Sequence, residues 1–180
     1  MQLFTGSGDF RSFMNTRLNS MEKAIEQQLK CSEVADLPEE KLAAMARKYA
    51  QQYGVATIPT LDLSSPPDKF VDQNTGQRVW QAPYSGDKFF FTLSPPDQPG
   101  YILHAGLTDK NIVIAISEPI EQSEKAAQDL LKEITKVLDF MRSDKEEHFS
   151  LKKFEEIAAS KIREKQEYCA KLSAGGYKVR

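Results

Sequence analysis

The 180-residue chain is poor in the residues that build metal and covalent sites. It has two histidines and two cysteines, and Cys31 and Cys169 lie far apart without a Cys-x-x-Cys pair or a histidine at ligand spacing. A zinc module needs about four such ligands in close pairs, so the sequence argues against one. Because disulfides rarely persist in the cytosol, we expect both cysteines to be reduced thiols.

Long apolar runs are also missing, and no stretch approaches the ~20 residues that cross a bilayer. The first residues, MQLFTGSGDFRSF, lack the basic and apolar regions of a signal peptide. We therefore expect a cytoplasmic protein without a membrane partner. The 24 basic and 26 acidic residues give a formal charge of −2, which argues against a general nucleic-acid binder.

The stretch from Gln77 to Ser117 has short runs of aromatic and β-branched residues separated by Pro, Gly, Asp and Asn. This pattern predicts an antiparallel β-meander. Helical patterns flank it, so the sequence predicts a single α+β domain over residues 1–180. Its parts are a helical region at 1–54, a sheet at 55–117 and long C-terminal helices at 121–172.

Within the sheet region, the Pro-, Asp- and Asn-rich stretch 64–76 is predicted to be a loop, and Lys88–Leu93 a strand. Three successive phenylalanines in that strand cannot share one face. The predicted core combines residues of the sheet and the long helix: Trp80, Phe89, Phe91, Leu103, Ile112, Ile114, Ile116, Leu131, Ile134 and Leu138.

His104 is the only histidine in the predicted sheet and the centre of a hydrolase alternative. Asp87, Asp97 or Asp109 would orient it, and Ser85 or Ser94 would be the nucleophile. Each of these residues lies in a turn-forming context, and no Gly-x-Ser-x-Gly or phosphate-binding loop occurs. We therefore expect no catalytic residues, no cofactor and no metal.

The length of the C-terminal helices predicts a protein interface. At 1.5 Å per residue, a helix over residues 121–172 would reach roughly 75 Å, far more than a strand of six or seven residues. Part of its apolar stripe would then need another surface. The residues expected to contact a protein partner or a second copy in a homodimer are Phe10, Phe13, Phe149, Leu151, Phe154 and Ile162.

A nucleic-acid alternative uses the basic C-terminal helix and rests on the basic side chains among the last thirty residues. Eight of them (Lys152, Lys153, Lys161, Arg163, Lys165, Lys171, Lys178 and Arg180) exceed the acids by four. The acids Glu155, Glu156, Glu164 and Glu167 are interleaved with them, and no aromatic platform for bases is present. This pattern favours an ordinary solvated helix.

Several segments together resemble a known bacterial module. They are the turn Pro83-Tyr84-Ser85-Gly86-Asp87 running into Phe89–Pro96, then Leu138-Asp139-Phe140, Asp144–Phe149 with Leu151, Ile162–Lys165 and Gly176–Arg180. The chain resembles an uncharacterised N-terminal module that precedes TIR or restriction-nuclease-like effector domains. The resemblance implies a non-enzymatic sensor, scaffold or interaction role in antiphage defence, with an effector subunit as partner. The resemblance covers no effector domain, so it carries no effector activity over to this chain.

Overall fold

The computed structural model describes residues 2–4, 6, 8–98, 103–117 and 119–175. It confirms the α+β fold: along the chain, N-terminal helices precede an antiparallel sheet and long C-terminal helices follow it. The chain divides into two compact units. Unit 1 comprises Met1–Arg11 and Ala56–Asp144, and unit 2 comprises Ser12–Val55 and Lys145–Arg180.

The helices fall close to the predicted positions because their apolar stripes are long and periodic. They are α1 (Phe10–Gln28), α2 (Cys31–Val34), α3 (Glu39–Gly54), α4 (Ile120–His148) and α5 (Leu151–Ala174). The strands are β1 (Gln2–Leu3), β2 (Thr60–Leu61), β3 (Asp68–Val71), β4 (Arg78–Ser85), β5 (Leu103–His104), β6 (Gly106–Leu107) and β7 (Asn111–Ile116). No helix in the described part of the chain has the length and apolarity needed to span a bilayer.

The sheet of unit 1 is centred on β4. Along one side, β4 pairs antiparallel with β7 over six residue pairs, and β6 continues the sheet beyond β7. Strand β3 pairs with the start of β4, where Val71 lies opposite Arg78. Strand β2 pairs with the end of β4, where Thr60 lies opposite Ser85. A separate ribbon is formed by β1 and β5. Tyr101, within the predicted meander from Gln77 to Ser117, lies outside the described residues.

The triple phenylalanine is not part of a strand, and this prediction was wrong. Residues Lys88–Thr92 form a 3-10 helix. At its start, the Phe89 N–H donates a hydrogen bond to the Asp87 carboxylate at 2.9 Å. Three residues per turn place Phe90 and Phe91 in the core and leave Phe89 exposed. The predicted core position of Phe89 was therefore also wrong, and Phe90 is buried instead.

Phe90 and Phe91 anchor the N-terminal residues of unit 1. Their rings lie 6.1 Å from those of Phe10 and Phe4 respectively, within the range of favourable aromatic pairs. The other predicted core residues divide by burial. Trp80, Phe91, Ile112, Ile114, Leu131, Ile134 and Leu138 are buried, whereas Leu103 and Ile116 are half-buried.

Unit 2 is built on the packing of α3 against α5. The buried residues of α3 recur every fourth position, as Leu42, Ala46, Ala50 and Gly54, and those of α5 begin with Phe154, Ala158 and Ile162. Such rows form ridges that fit into grooves of a neighbouring helix. Gly54 is required here, since a Cβ at this position would lie 2.9 Å from the Phe154 ring.

The two cysteines form a disulfide, so the expectation of reduced thiols was wrong. Cys31 of α2 and Cys169 of α5 are 138 residues apart in sequence, but unit 2 brings their Cα atoms to 5.4 Å. This separation is within the usual range for a disulfide. The Gln166 side-chain amide also donates to the Leu37 carbonyl at 3.2 Å, so α5 holds the α2 segment by polar contacts as well.

Candidate protein-binding surface

The strand β3 lies at an edge of the unit 1 sheet and is exposed on both faces. It pairs with β4, and within the described ranges no second strand lies beside it. All four of its residues are exposed, including Phe70 at 47% and Val71 at 58%. Since an unpaired sheet edge that carries apolar side chains is a template for pairing, β3 is the first element of a candidate site.

A well-defined turn holds β3 in place. The Asp72 carboxylate accepts the Asn74 N–H at 2.9 Å, and the Asp72 N–H and Gly76 N–H donate to the carbonyls of Gln77 and Asp72. Gly76 has φ +68°, a left-handed conformation that glycine adopts without steric cost. The Asn74 N–H and the Thr75 hydroxyl lower the pKa of Asp72. The β3–β4 hairpin is thus closed by its own turn.

One face of α4 borders this hairpin. Ile120, Glu124, Gln128 and Lys132 recur every four residues and so share a face, about 18 Å long. Ile120 and Glu124 help to line an apolar hollow of about 180 Å³ together with Phe70, Val71 and Trp80. Gln128 and Lys132 help to line a second hollow, of about 420 Å³, together with residues 63–67.

An ion pair spans the first hollow, where Lys69 Nζ lies 2.8 Å from a Glu124 carboxylate oxygen. Ile120 is exposed at 63% beside it, although it begins a helix whose other apolar residues are mostly buried. We name the surface formed by Lys69, Phe70, Val71, Ile120 and Glu124 the edge groove. It combines a free strand edge with exposed apolar side chains, which is the composition of a protein-binding surface.

The structure does not bring the predicted interface residues together on the surface. Phe10, Phe149, Phe154 and Ile162 are buried, so the prediction that they overhang was wrong for these four. The physical reason is that the chain supplies its own partners: Phe10 packs on Phe90 in unit 1, and Phe154 packs on Gly54 in unit 2.

The other two predicted interface residues are only partly covered. Phe13 is half-buried, with the Arg17 guanidinium 5.7 Å from its ring centroid in a cation–π contact. Leu151 is exposed at the first position of α5. Neither belongs to a described apolar groove, so they form no site comparable with the edge groove.

The acids proposed to orient His104 are engaged elsewhere. Asp87 caps the 3-10 helix, Asp97 pairs with Arg11 at 2.9 Å, and Asp109 pairs with Lys88. His104 itself lies in β5 opposite Gln2 and is exposed. Over the part of the chain that the structure describes, none of these acids hydrogen-bonds His104, and no cluster of three metal-ligating residues occurs.

The proposed nucleophiles also have structural roles. Ser85 ends β4 opposite Thr60 of β2. Ser94 is buried, and its backbone carbonyl accepts the Phe10 N–H at 3.1 Å. Among the residues that the structure describes, neither serine has a histidine partner of the kind that a hydrolase requires.

The charged cluster at Arg11 is a further candidate that the structure explains. The Arg11 guanidinium donates to one Asp144 oxygen at 2.6 Å and 2.9 Å, and the Asp144 side chain is 3% exposed. The hydrogen bond to Asp144 raises the pKa of Arg11. A buried carboxylate needs such a cation, so this pair within unit 1 is structural.

The basic residues of α5 are largely used within unit 2. Lys161 pairs with Glu164 at 3.1 Å, and Arg163 pairs with Glu39 of α3. Lys165 donates to the Glu26 carbonyl at 3.0 Å. The two glutamates offset part of the positive charge of α5, which does not favour a nucleic-acid surface. Lys178 and Arg180 lie outside the described residues.

A hollow of about 520 Å³ in unit 2 is a further candidate. Lys41, Lys48 and Tyr49 of α3 line it together with Glu33. Partial burial raises the pKa of the Tyr49 hydroxyl above its ordinary value. Its wall mixes both signs of charge and presents no converging set of groups, so the edge groove is the stronger candidate.

Sequence reasoning did not identify Phe70, Val71 or Ile120 as functional residues. The available signal was a hairpin, because Lys69-Phe70-Val71 precedes the turn-forming residues 72–76 and the strand at Arg78 follows them. Comparison of the chain with family models, with curated proteins and with solved structures found no match. The function is therefore argued from the edge groove itself.

Proposed function

We propose that the chain is a non-enzymatic protein-interaction module that binds a protein partner through the edge groove. The observation that carries this proposal is β3, a strand that exposes both faces and leaves one edge without a strand neighbour in the described chain. A strand that serves only the core buries one face. Phe70 and Val71 are therefore placed where a partner, and not the core, would cover them.

The frame behind the groove supports the same proposal. β4 is held on its far side by six pairs with β7, and the Lys69–Glu124 ion pair links β3 to α4. A surface that is already ordered loses little conformational entropy when a partner binds. The geometry is therefore suited to recognition, with α4 as one wall and β3 as the other.

The sequence resemblance supports a more specific partner. In the bacterial module that this chain resembles, an effector domain follows, so we propose that the partner is an effector subunit of an antiphage system and that the chain acts as its sensor or scaffold. The segment Pro83–Asp87 that contributes to the resemblance lies at the end of β4. It belongs to unit 1, as the edge groove does.

Site-specific photo-crosslinking in the cells that express the protein tests the proposal. The photoreactive residue p-benzoylphenylalanine would replace Phe70 in one variant and Phe140 in the other. Phe140 is a matched control, since it is also an aromatic residue of unit 1 and is 41% exposed, close to Phe70. We expect one discrete adduct from position 70, none from position 140, and loss of the adduct when Ile120→Glu is added.

Equal crosslinking from both positions, or no adduct from position 70, would show that the edge groove is not a partner site. Circular dichroism of each variant before irradiation verifies that the fold is intact. Both positions are exposed, so neither change removes core packing.

A further inference from the structure

We propose that the edge groove takes an extended peptide segment of its partner, which joins the sheet as an additional strand beside β3. This inference rests on the proposed function and specifies the kind of partner that the same surface recognises. It concerns main-chain pairing, whereas the proposed function concerns only the location of the contact.

The backbone of β3 is the first argument. In an antiparallel pair, alternate N–H and C=O groups point away from the neighbouring strand, so β3 directs such groups toward its open edge. The register from Asp68 opposite Gln81 to Val71 opposite Arg78 is fixed by the hairpin turn. An extended segment finds hydrogen-bonding partners already in position, which is the basis of β-strand addition.

The apolar hollow is the second argument. Phe70, Val71, Trp80 and Ile120 surround about 180 Å³ next to the strand edge. A cavity of about 150 Å³ holds a benzene molecule, so this hollow takes one side chain of phenylalanine size. Main-chain pairing with β3 and one apolar anchor together define the segment as a strand-forming sequence with a single large apolar residue.

The size of the edge argues against a second copy of the chain as the occupant. Four residues span about 13 Å, and three exposed apolar side chains accompany them. A stable protein interface buries about 800 Å² on each partner, which so short an edge does not supply. A peptide needs much less area, because main-chain hydrogen bonds provide much of its affinity.

Charge has a smaller part in the choice of segment than backbone pairing and the apolar anchor. Three charged residues, Lys69, Arg78 and Glu124, help to line the hollow, and Lys69 and Glu124 pair with each other across 2.8 Å.

A random-octapeptide phage library, selected on the full chain and counter-selected on the Phe70→Glu variant, tests the proposal. The tightest selected peptide would then be synthesised and its Kd measured by isothermal titration. We expect Phe70→Glu and Ile120→Glu each to weaken binding about tenfold or more, and Phe140→Glu to change it less than about twofold. Ile120→Glu leaves the strand intact, so it tests the groove separately from β3.

Two N-methylated versions of the same peptide, each methylated at alternate backbone N–H groups, distinguish strand addition from binding by side chains alone. We expect N-methylation on the edge that faces β3 to weaken binding about tenfold or more, and methylation on the other edge to have little effect. Amide exchange in β3 should slow when the unmethylated peptide binds.

Three results would overturn the strand proposal. The first is equal binding by the methylated peptides, which would leave the edge groove as a contact site and so preserve the proposed function. The second is a selection that yields no peptide dependent on Phe70. The third is a dimer in sedimentation that Phe70→Glu dissociates, since it would identify a second copy as the occupant. Failure of the proposed function is seen separately, as loss of the position-70 crosslink.

Discussion

The two units of the chain differ in how completely each covers its own apolar surface. In unit 2, α3 and α5 interlock along rows of residues spaced by four, and the disulfide joins α2 to α5. In unit 1, the sheet ends at β3, whose four residues are all exposed. The comparison shows that the apolar rows of the long helices are covered within the chain, whereas the short strand β3 leaves its apolar side chains exposed.

The largest effect is expected from a charge in the core of unit 1. Ile114, opposite Trp80 in the β4–β7 pair, is buried, and Ile114→Asp would place an unpaired carboxylate there. The cost is several kcal/mol against a total stability of about 5 to 15 kcal/mol, so we expect unit 1 to unfold. Fluorescence of Trp80, the only tryptophan, measures this directly.

Ala115→Asp is the matched control for that experiment, because the neighbouring residue points to the opposite face and is exposed. It should melt within about 0.5 kcal/mol of the wild type. A cooperative, near-native melt of Ile114→Asp would contradict the assigned core.

The second effect concerns the covalent closure of unit 2. In the chain-entropy model, a disulfide between residues 138 apart stabilises the fold by roughly 3 to 5 kcal/mol. We therefore expect Cys169→Ser to lower the melting temperature and to speed amide exchange in α2. In excess dithiothreitol the variant and the wild type should coincide. Two titratable thiols in the unreduced wild type would show that the bond is absent.

A smaller effect is expected at the contact between α3 and α5. Gly54→Ala would place a Cβ 2.9 Å from the Phe154 ring, and overpacking of this kind costs typically 1 to 3 kcal/mol. Urea denaturation gives this value. The double variant Gly54→Ala with Phe154→Leu should lose less unfolding free energy than the sum of the losses of the two single variants. Purely additive losses would mean that residues 54 and 154 do not contact each other.

The smallest effect is a pH dependence in unit 1. The Lys88 ammonium lowers the pKa of Asp109, and the same contact raises the pKa of Lys88. A lowered carboxyl pKa contributes stability above its unfolded value near 3.9, which is lost as pH falls through the folded value. A raised lysine pKa contributes stability below about 10.4, which is lost as pH rises through the folded value.

Replacement of Lys88 by Met removes both contributions, and we expect the pKa of Asp109 to move up toward its ordinary value. An NMR titration of the Asp109 carboxyl carbon measures the shift. Lys110→Met is the control, because it removes a neighbouring charge that does not pair with Asp109 in the structure. A shift of the same size in both variants would point to general charge and not to the Lys88 contact.

The sequence predicted the helices well, because periodic apolar stripes determine both a helix and its buried face. The predicted helical region that ends at residue 54 agrees with the end of α3, and the predicted C-terminal helices over 121–172 correspond to α4 and α5. Strand β3 could not be recognised from an alternation of apolar and polar residues, since it is only four residues long and exposes both faces. The run of three phenylalanines likewise lacks alternation, which is why its 3-10 helix was mistaken for a strand.

The candidate site was not predictable from the same reasoning. An apolar stripe shows that a helix buries one face, but not which surface covers it, and Phe154 is covered by a glycine 100 residues away in sequence. The disulfide was missed for a similar reason, because only the folded chain brings Cys31 near Cys169. Both errors arise from contacts between segments that are distant in sequence.

The Cys31–Cys169 bond also makes most of the chain a covalent ring. The segment Ala56–Asp144, which contains β3 and the groove face of α4, lies within that ring. A protease that cuts one peptide bond between the two cysteines would therefore open the ring without releasing a fragment. The nicked protein should keep its full mass until a reductant is added, so a cut near the edge groove would leave β3 attached to the rest of the molecule.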